Sequence, residues 1–236
     1  MATIICIETS TKVCSVALSI GGSLQALREI GDEYVHAEKL LPFISELISE
    51  AGISKSDINA IAVSSGPGSY TGLRIGVSAA KGLCYALDIP LISISSLESL
   101  AQQAKDDLAK VDNPVHPILF CPMIDARRME VYMALYDVNL KRINEVASIV
   151  LNPNSLSDYL AGHTIYFTGD GAEKSKVIFS PQKNANYTLI ANASAGPMCT
   201  IAERKYVSNQ FENLALFEPF YLKEYKAALS TSNTKN

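Results

Sequence analysis

Apolar positions along the chain switch between two periods, and the switches mark out its elements. Residues 3–7, TIICI, form a short unbroken apolar run, the pattern of a strand buried on both faces. Residues 13–20, VCSVALSI, are rich in β-branched side chains, and Gly21-Gly22 marks a hairpin turn before a third strand at 24–30. The period then lengthens: Leu40, Leu41, Ile44, Leu47, Ile48 and Ala51 recur at helical spacing, and Gly52 supplies the stop. Ser54 with Asp57 has the spacing of a capping box for a short helical turn, and 60–63 reads as a buried strand. A glycine-rich segment leads into a helix ending near 87, followed by a strand at 91–94 and a second capping box at Ser95 and Glu98. The first hundred residues therefore read βββαβαβα.

The second half repeats this order in outline without repeating the sequence, as an internally duplicated fold would. Strands are predicted at 118–124, 130–136 and 143–150, a helix start at 155–160, and a strand at 165–168 that runs into Gly169-Asp170-Gly171. Gly196-Pro197 opens the last helix, which reaches about residue 207. The polar stretch 105–116 suits a crossing between domains. The expected organisation is a first subdomain at 1–105, a second at 106–196, a helix near 197–210 packing back on the first, and a flexible tail at 223–236.

With 48% hydrophobic and 19% charged residues, the composition is that of a globular protein. The formal charge is −4, and no stripe of Lys and Arg is present to neutralise nucleic-acid phosphates. Arg127-Arg128 reads as solvated surface, and any grip on RNA is expected from another subunit. Cys6, Cys14, Cys84, Cys121 and Cys199 show no CxxC spacing and read as reduced core residues. The first strand carries Glu8 within a short apolar run, so neither a signal peptide nor a membrane span is expected, and the expected location is the cytoplasm.

The segment SSGPGSYTGLRIGVSAAKGL, residues 64–83, raises a choice between phosphate cradle and packing surface. Glycines at a helix N-terminus let backbone N–H groups approach an anion, which makes Gly66 and Gly68 cofactor candidates. The spacing fits neither GxxxxGK[ST] nor GxGxxG. Along the helix Gly72, Gly76, Ala79, Ala80 and Leu83 share one side, a small-residue stripe open to close packing within the domain or against a partner. Glu8, Thr9 and Ser10, followed by Thr11 at a strand end, could face magnesium phosphate or simply form a turn. Asp125 and Gly169-Asp170-Gly171 pose the same alternatives. His36, His116 and His163 are isolated and read as surface or capping residues; no metal set, GxSxG elbow or catalytic trio can be assembled.

At IETSTKVCSVALS, SSGPGSYTGLRIGVSAAKGL, IPLISISSLESLA, DARRMEVYMALYD and FTGDGA the chain resembles the TsaB (YeaZ) family, in order from Ile4 to Gly171. The resemblance implies an α/β protein of the actin-like ATPase (ASKHA, RNase H-like) fold with two duplicated subdomains. It implies a role in making threonylcarbamoyladenosine in tRNAs that read codons beginning with A. The implied partners are TsaD, the transferase, as heterodimer, and the ATPase TsaE; a homodimer is expected when the chain is alone, and tRNA only through the complex. TsaD carries a metal-binding His-x-x-x-His where this chain has Ser96 and Leu100, so the resemblance implies a noncatalytic subunit without a metal. No tightly bound cofactor is expected, only weak ATP or ADP at a subunit interface. The competing readings are a small-molecule kinase with Asp125 as base and, last, a glycoprotease-type metallopeptidase. The partner surface is expected on Leu40, Phe43 and Leu47 of one helix and Gly72, Gly76, Ala80 and Leu83 of the next.

Overall fold

The computed structural model describes residues 1–31, 35–108 and 116–223. The expected tail, beyond Lys223, and most of the expected crossing, at 109–115, lie outside the described residues. In chain order the first lobe comprises β1 (Thr3–Glu8), β2 (Cys14–Ile20), β3 (Ser23–Ile30), α1 (His36–Glu50), β4 (Ala60–Gly66), α2 (Tyr70–Leu87), β5 (Leu91–Ser95) and α3 (Ser96–Leu108). The second comprises β6 (Ile118–Asp125), β7 (Glu130–Met133), β8 (Ala147–Val150), α4 (Ser157–Gly162), β9 (Thr164–Thr168), α5 (Ala172–Phe179) and β10 (Ala185–Tyr187), and α6 (Met198–Val207) follows.

The two sheets have one topology. The first runs β3-β2-β1-β4-β5, antiparallel across the hairpins and parallel across β1, β4 and β5. The second, β10-β9-β6-β7-β8, is the same order with β6 in the place of β1, antiparallel to β7 and parallel to β9. This duplicated RNase H-like sheet is the actin-like architecture.

The alternation of β1 sets the layering. Ile5 and Ile7 enter a core with Leu40, Ile44 and Leu47 of α1 and Val77, Ala80 and Cys84 of α2. Ile4 and Cys6 enter a second core closed by Met198, Cys199, Ile201 and Ala202 of α6, so the last helix packs on the first sheet. With both faces covered, the unbroken apolar run at 3–7 follows directly. Helix α3 lies between the lobes: Leu97, Leu100, Ala101 and Ala104 pack with Phe120, Ile124 and Tyr136 of the second. All five cysteines are free and buried.

Several local expectations need correction. At the start of α3, Glu98 pairs with Arg204 of α6 at 2.7 Å. The strand expected at 130–136 ends at Met133, because the Asp137 carboxylate accepts N–H bonds from Asn139 and Lys141 and turns the chain. The next shortens to four residues, as Asn144 spends its side chain on the Leu135 N–H. By contrast, Ser54 and Asp57 form the expected capping box around a 3₁₀ turn. His36 is not a surface residue: it is buried, with Nε2 3.1 Å from the Thr11 carbonyl.

The small-residue stripe of α2 faces the protein's own interior. A methyl group built on Gly72 would overlap the Thr9 carbonyl, and one on Gly76 would overlap Thr9 Oγ1. Leu40, Leu47, Gly72, Gly76 and Ala80 are buried within the chain, so they are not a partner surface; Phe43 and Leu83 are half-buried against the same core. Two glycines of this helix should therefore respond with opposite signs. Gly76→Leu should cost at least about 3 kcal/mol, since a packed site must absorb a large side chain. Gly82→Ala, at an exposed position with nothing within 4 Å, should stabilise by up to about 1 kcal/mol through helix propensity. Urea denaturation of both variants is the measurement; a folded, unperturbed Gly76→Leu would contradict the inward placement.

Candidate functional site

The carboxyl ends of the parallel strands of both sheets open on a cleft of about 1810 Å³. Such ends are where open α/β sheets take ligands. On the first lobe the cleft is lined by Ser10, Thr11 and Lys12 after β1 and by the turn at 67–72 before α2. On the second it is lined by Asp125 to Arg127 after β6, Gly169 and Asp170 after β9, and the segment at 187–192. Residues 220–223 close one side.

The turn after β1 is pressed inward. Glu8, Thr9, Ser10 and Thr11 are all buried, because the turn at 67–72 and α2 lie directly on them; Ser69 N–H donates to the Ser10 carbonyl at 2.7 Å. Glu8 Oε1 accepts the Ser10 N–H at 2.6 Å, while Glu8 Oε2, Thr9 Oγ1 and Ser10 Oγ have no hydrogen-bond partner among the described residues. Burial pushes the Glu8 carboxyl above its ordinary range, and the polar groups of Ser10, Ser64 and Thr9 around it only partly oppose that.

The second lobe presents ionic groups. Lys174 Nζ pairs with Asp125 Oδ1 at 2.7 Å, and the same oxygen accepts the Arg127 N–H at 2.5 Å. Asp170 Oδ1 accepts the Asp125 N–H at 2.8 Å. Burial raises the Asp170 carboxyl; the Asp125 N–H opposes this, the Asp125 charge adds to it, and the Gly171 N–H and the charge of Lys12 on the first lobe oppose it. The cations Lys12, Arg127 and Lys176 also line the cleft, and the sequence does not single them out as site residues, because isolated basic positions read as solvated surface.

Of the cofactor candidates, Ser10 and Gly68 line the cleft, whereas Glu8 and Thr9 are buried beneath the turn and Gly66 lies under the Phe220 carbonyl. A methyl group on Gly68 would overlap the Ser10 carbonyl, so this glycine serves close approach of protein to protein. Ser96 is buried at the start of α3, and Leu100 is fully buried, with its Cδ1 beside Gly169. Among the described residues no three His, Cys, Asp or Glu side chains stand together as a metal set.

The burial of Glu8 has a sign that can be tested. Its carboxyl ionises at higher pH in the folded chain than in the unfolded one. The neutral form's contribution to stability is therefore full below the unfolded value, about 4.3, and is lost as pH rises through the folded value. Glu8→Gln is neutral throughout, so its stability relative to the parent should climb from pH 4 upward, by no more than about 1.4 kcal/mol per pH unit. Denaturant midpoints between pH 4 and 8 read this difference; a flat or falling difference would refute it.

Three comparisons bear on this geometry. The family model described as TsaD, tRNA N6-adenosine threonylcarbamoyltransferase, matches residues 33–232. The tRNA threonylcarbamoyladenosine biosynthesis protein TsaB of Haemophilus influenzae is 30% identical over 233 residues, covering 94% of this chain and 93% of that protein. The Escherichia coli protein of the same name is 37% identical over 154 residues, 64% of this chain and 62% of that protein. Two Pseudomonas aeruginosa structures are each 27% identical and are matched over 94% of this chain and all of theirs. One is YeaZ, at a TM-score of 0.77; the other, an uncharacterized protein with similarity to peptidase YEAZ, is at 0.82. With the matched model spanning most of the chain and a TsaB relative aligned nearly end to end, the chain belongs to the TsaB (YeaZ) family, within the wider group that the TsaD model describes.

Proposed function

We propose that this chain is a noncatalytic subunit of a tRNA threonylcarbamoyladenosine-forming complex, pairing with a TsaD transferase and working alongside the ATPase TsaE in the cytoplasm. The observation that carries the noncatalytic reading is Leu100. The resemblance to TsaD puts a metal-ligating histidine there, and in this chain the position is an apolar side chain sealed in the interlobe core. Family membership supports the pathway, and the scattered cations support contact with tRNA only through the complex.

The kinase reading is weaker on geometry. Asp125, its base, already gives Oδ1 to both Lys174 and the Arg127 N–H. The buried turn after β1 also leaves no open cradle for a phosphate chain, so nucleotide binding by the isolated chain is weak. The metallopeptidase reading has no ligand set among the described residues.

The partner surface moves from the inner stripe to the outer faces of the same helices. Leu41 of α1 is 54% exposed and Tyr85 of α2 is 85% exposed, beside exposed Ser78, Gly82 and Ala86. Large apolar side chains left in water on adjacent helices are the chemistry of a docking face. The same face serves a homodimer when TsaD is absent, and the two assemblies compete.

Reconstitution with TsaD, TsaE, threonylcarbamoyl-adenylate synthase and unmodified tRNA should yield modified adenosine only when this chain is added; equal yield without it would overturn the role. Leu41→Asp with Tyr85→Asp should leave the fold intact by circular dichroism and weaken pairing at least about thirtyfold, as loss of central anchors does. Unchanged pairing would move the docking face elsewhere.

A further inference from the structure

After α6 the chain returns along the first lobe and ends its described course in the second. At the edge of the first sheet Glu212 N–H donates to the Leu91 carbonyl at 2.9 Å, and its Oε1 accepts the Ser93 hydroxyl at 2.5 Å. Leu214 and Phe217 then pack against the first core, and Lys81 of α2 reaches the Ala215 and Phe217 carbonyls at 3.3 and 3.0 Å. Phe220 N–H donates to the Ser65 carbonyl at 2.7 Å. The Phe220 carbonyl oxygen lies 2.7 Å from where a side chain on residue 66 would begin, and Gly66 has a φ of +105°, so only glycine admits the segment this closely. Tyr221 packs on the Tyr70 ring at 4.8 Å and accepts from Arg74 Nε at 3.2 Å. One step further, Lys223 forms an ion pair with Glu130 of β7, a carboxylate that also accepts the Ser148 hydroxyl at 2.7 Å.

We propose that residues 212–223 are a latch, fixed along the first lobe and hooked to the second by Lys223 and Glu130, which holds the two lobes closed over the cleft. Beyond the segment itself, the hydrogen bonds and ring contacts described from Glu212 to Tyr221 are to the first lobe, and they fix where Lys223 can stand. An exposed pair between two free side chains contributes little, because ordering them offsets the attraction. Here the lysine arrives already placed, and that ordering is shared with the contacts upstream. Residues 220–223 are also part of the cleft wall, so unhooking Lys223 frees the lobes and opens the site in one movement. The latch is gripped by Arg74 and Lys81, both on α2, so a force on that helix reaches the cleft through this segment. Nothing in this depends on the modification reading.

The test uses the full chain with spin labels at Lys55→Cys and Val177→Cys, two exposed positions on opposite lobes and away from the docking face. Lys223→Glu should broaden and lengthen the interlobe distance distribution and speed amide exchange at Phe220 about fivefold, the factor expected on losing one such contact. The charge swap Lys223→Glu with Glu130→Lys should bring both readouts back toward the parent, although the new lysine stands near Lys174. Tyr221→Ala, which cuts the latch in the first lobe, should lengthen the same interlobe distance, an effect that a merely local packing role would not produce. Thermal unfolding checks that each variant is folded. An interlobe distribution unchanged in Lys223→Glu and Tyr221→Ala, or a swap that restores nothing, would overturn the latch.

Discussion

Helix α2 approaches the turn after β1 more closely than any side chain on its inner face would permit, with Gly72 and Gly76 set against the Thr9 carbonyl and hydroxyl. Three properties of the first lobe descend from that contact. The turn is driven into the interior, so Glu8 loses its water and its carboxyl is raised. The hydroxyls that a phosphate would have needed are covered by protein, and the N–H groups at the helix start go to protein oxygens: Gly72 N to Ser69 Oγ, Leu73 N to Ser69 O. With the small residues turned inward, Ser78 and Tyr85 are left on the outer face. One steric constraint thus buries the turn after β1 and sets the outward face of the helix.

The lobes meet through unlike layers. Near the hinge, α3 supplies an apolar layer common to both, and the Tyr136 hydroxyl meets Ser95 at its edge. The segment after β10 returns to the first sheet through a polar node: Ser15 and Ser194 both donate to Glu29 Oε1, and Ala195 N–H donates to Ser15 Oγ. Across the cleft the contact is ionic and more open to solvent, with Lys223 holding Glu130. Buried apolar contact fixes the hinge, while exposed charge closes the mouth, where screening and partners can act on it.

The period of the apolar residues made the first sheet legible, because its central strands are covered on both faces and its helices on one. It also revealed the stripe on α2, but not the direction the stripe faces. A small-residue row at helical spacing looks the same whether it meets its own sheet or another helix, and only the position of Thr9 separates the two. In the second lobe the signal was thinner. Strand β10 is three residues long, and α5 has eight residues with Ala172, Ser175 and Phe179 as its buried face, too short for a period to declare itself. The latch left no mark at all, since its main attachments from Glu212 to Phe220 run through backbone N–H and carbonyl groups that every residue shares.

Leu100 joins the chemistry of the site to the mechanics of the fold. A metal-ligating histidine at this point of α3 would need an open coordination sphere and a polar partner for its second ring nitrogen. Leucine needs neither, and its side chain is fully buried, with Cδ1 against the backbone at Gly169 of the second lobe. Burying such a side chain contributes about 2 kcal/mol. That contribution falls on the union of the lobes, since α3 belongs to the first and Gly169 to the second. The position that the resemblance gives to a ligand in TsaD therefore acts here as a rivet between the lobes, and the same apolar atoms that fill the interlobe core fix how α3 meets the second sheet.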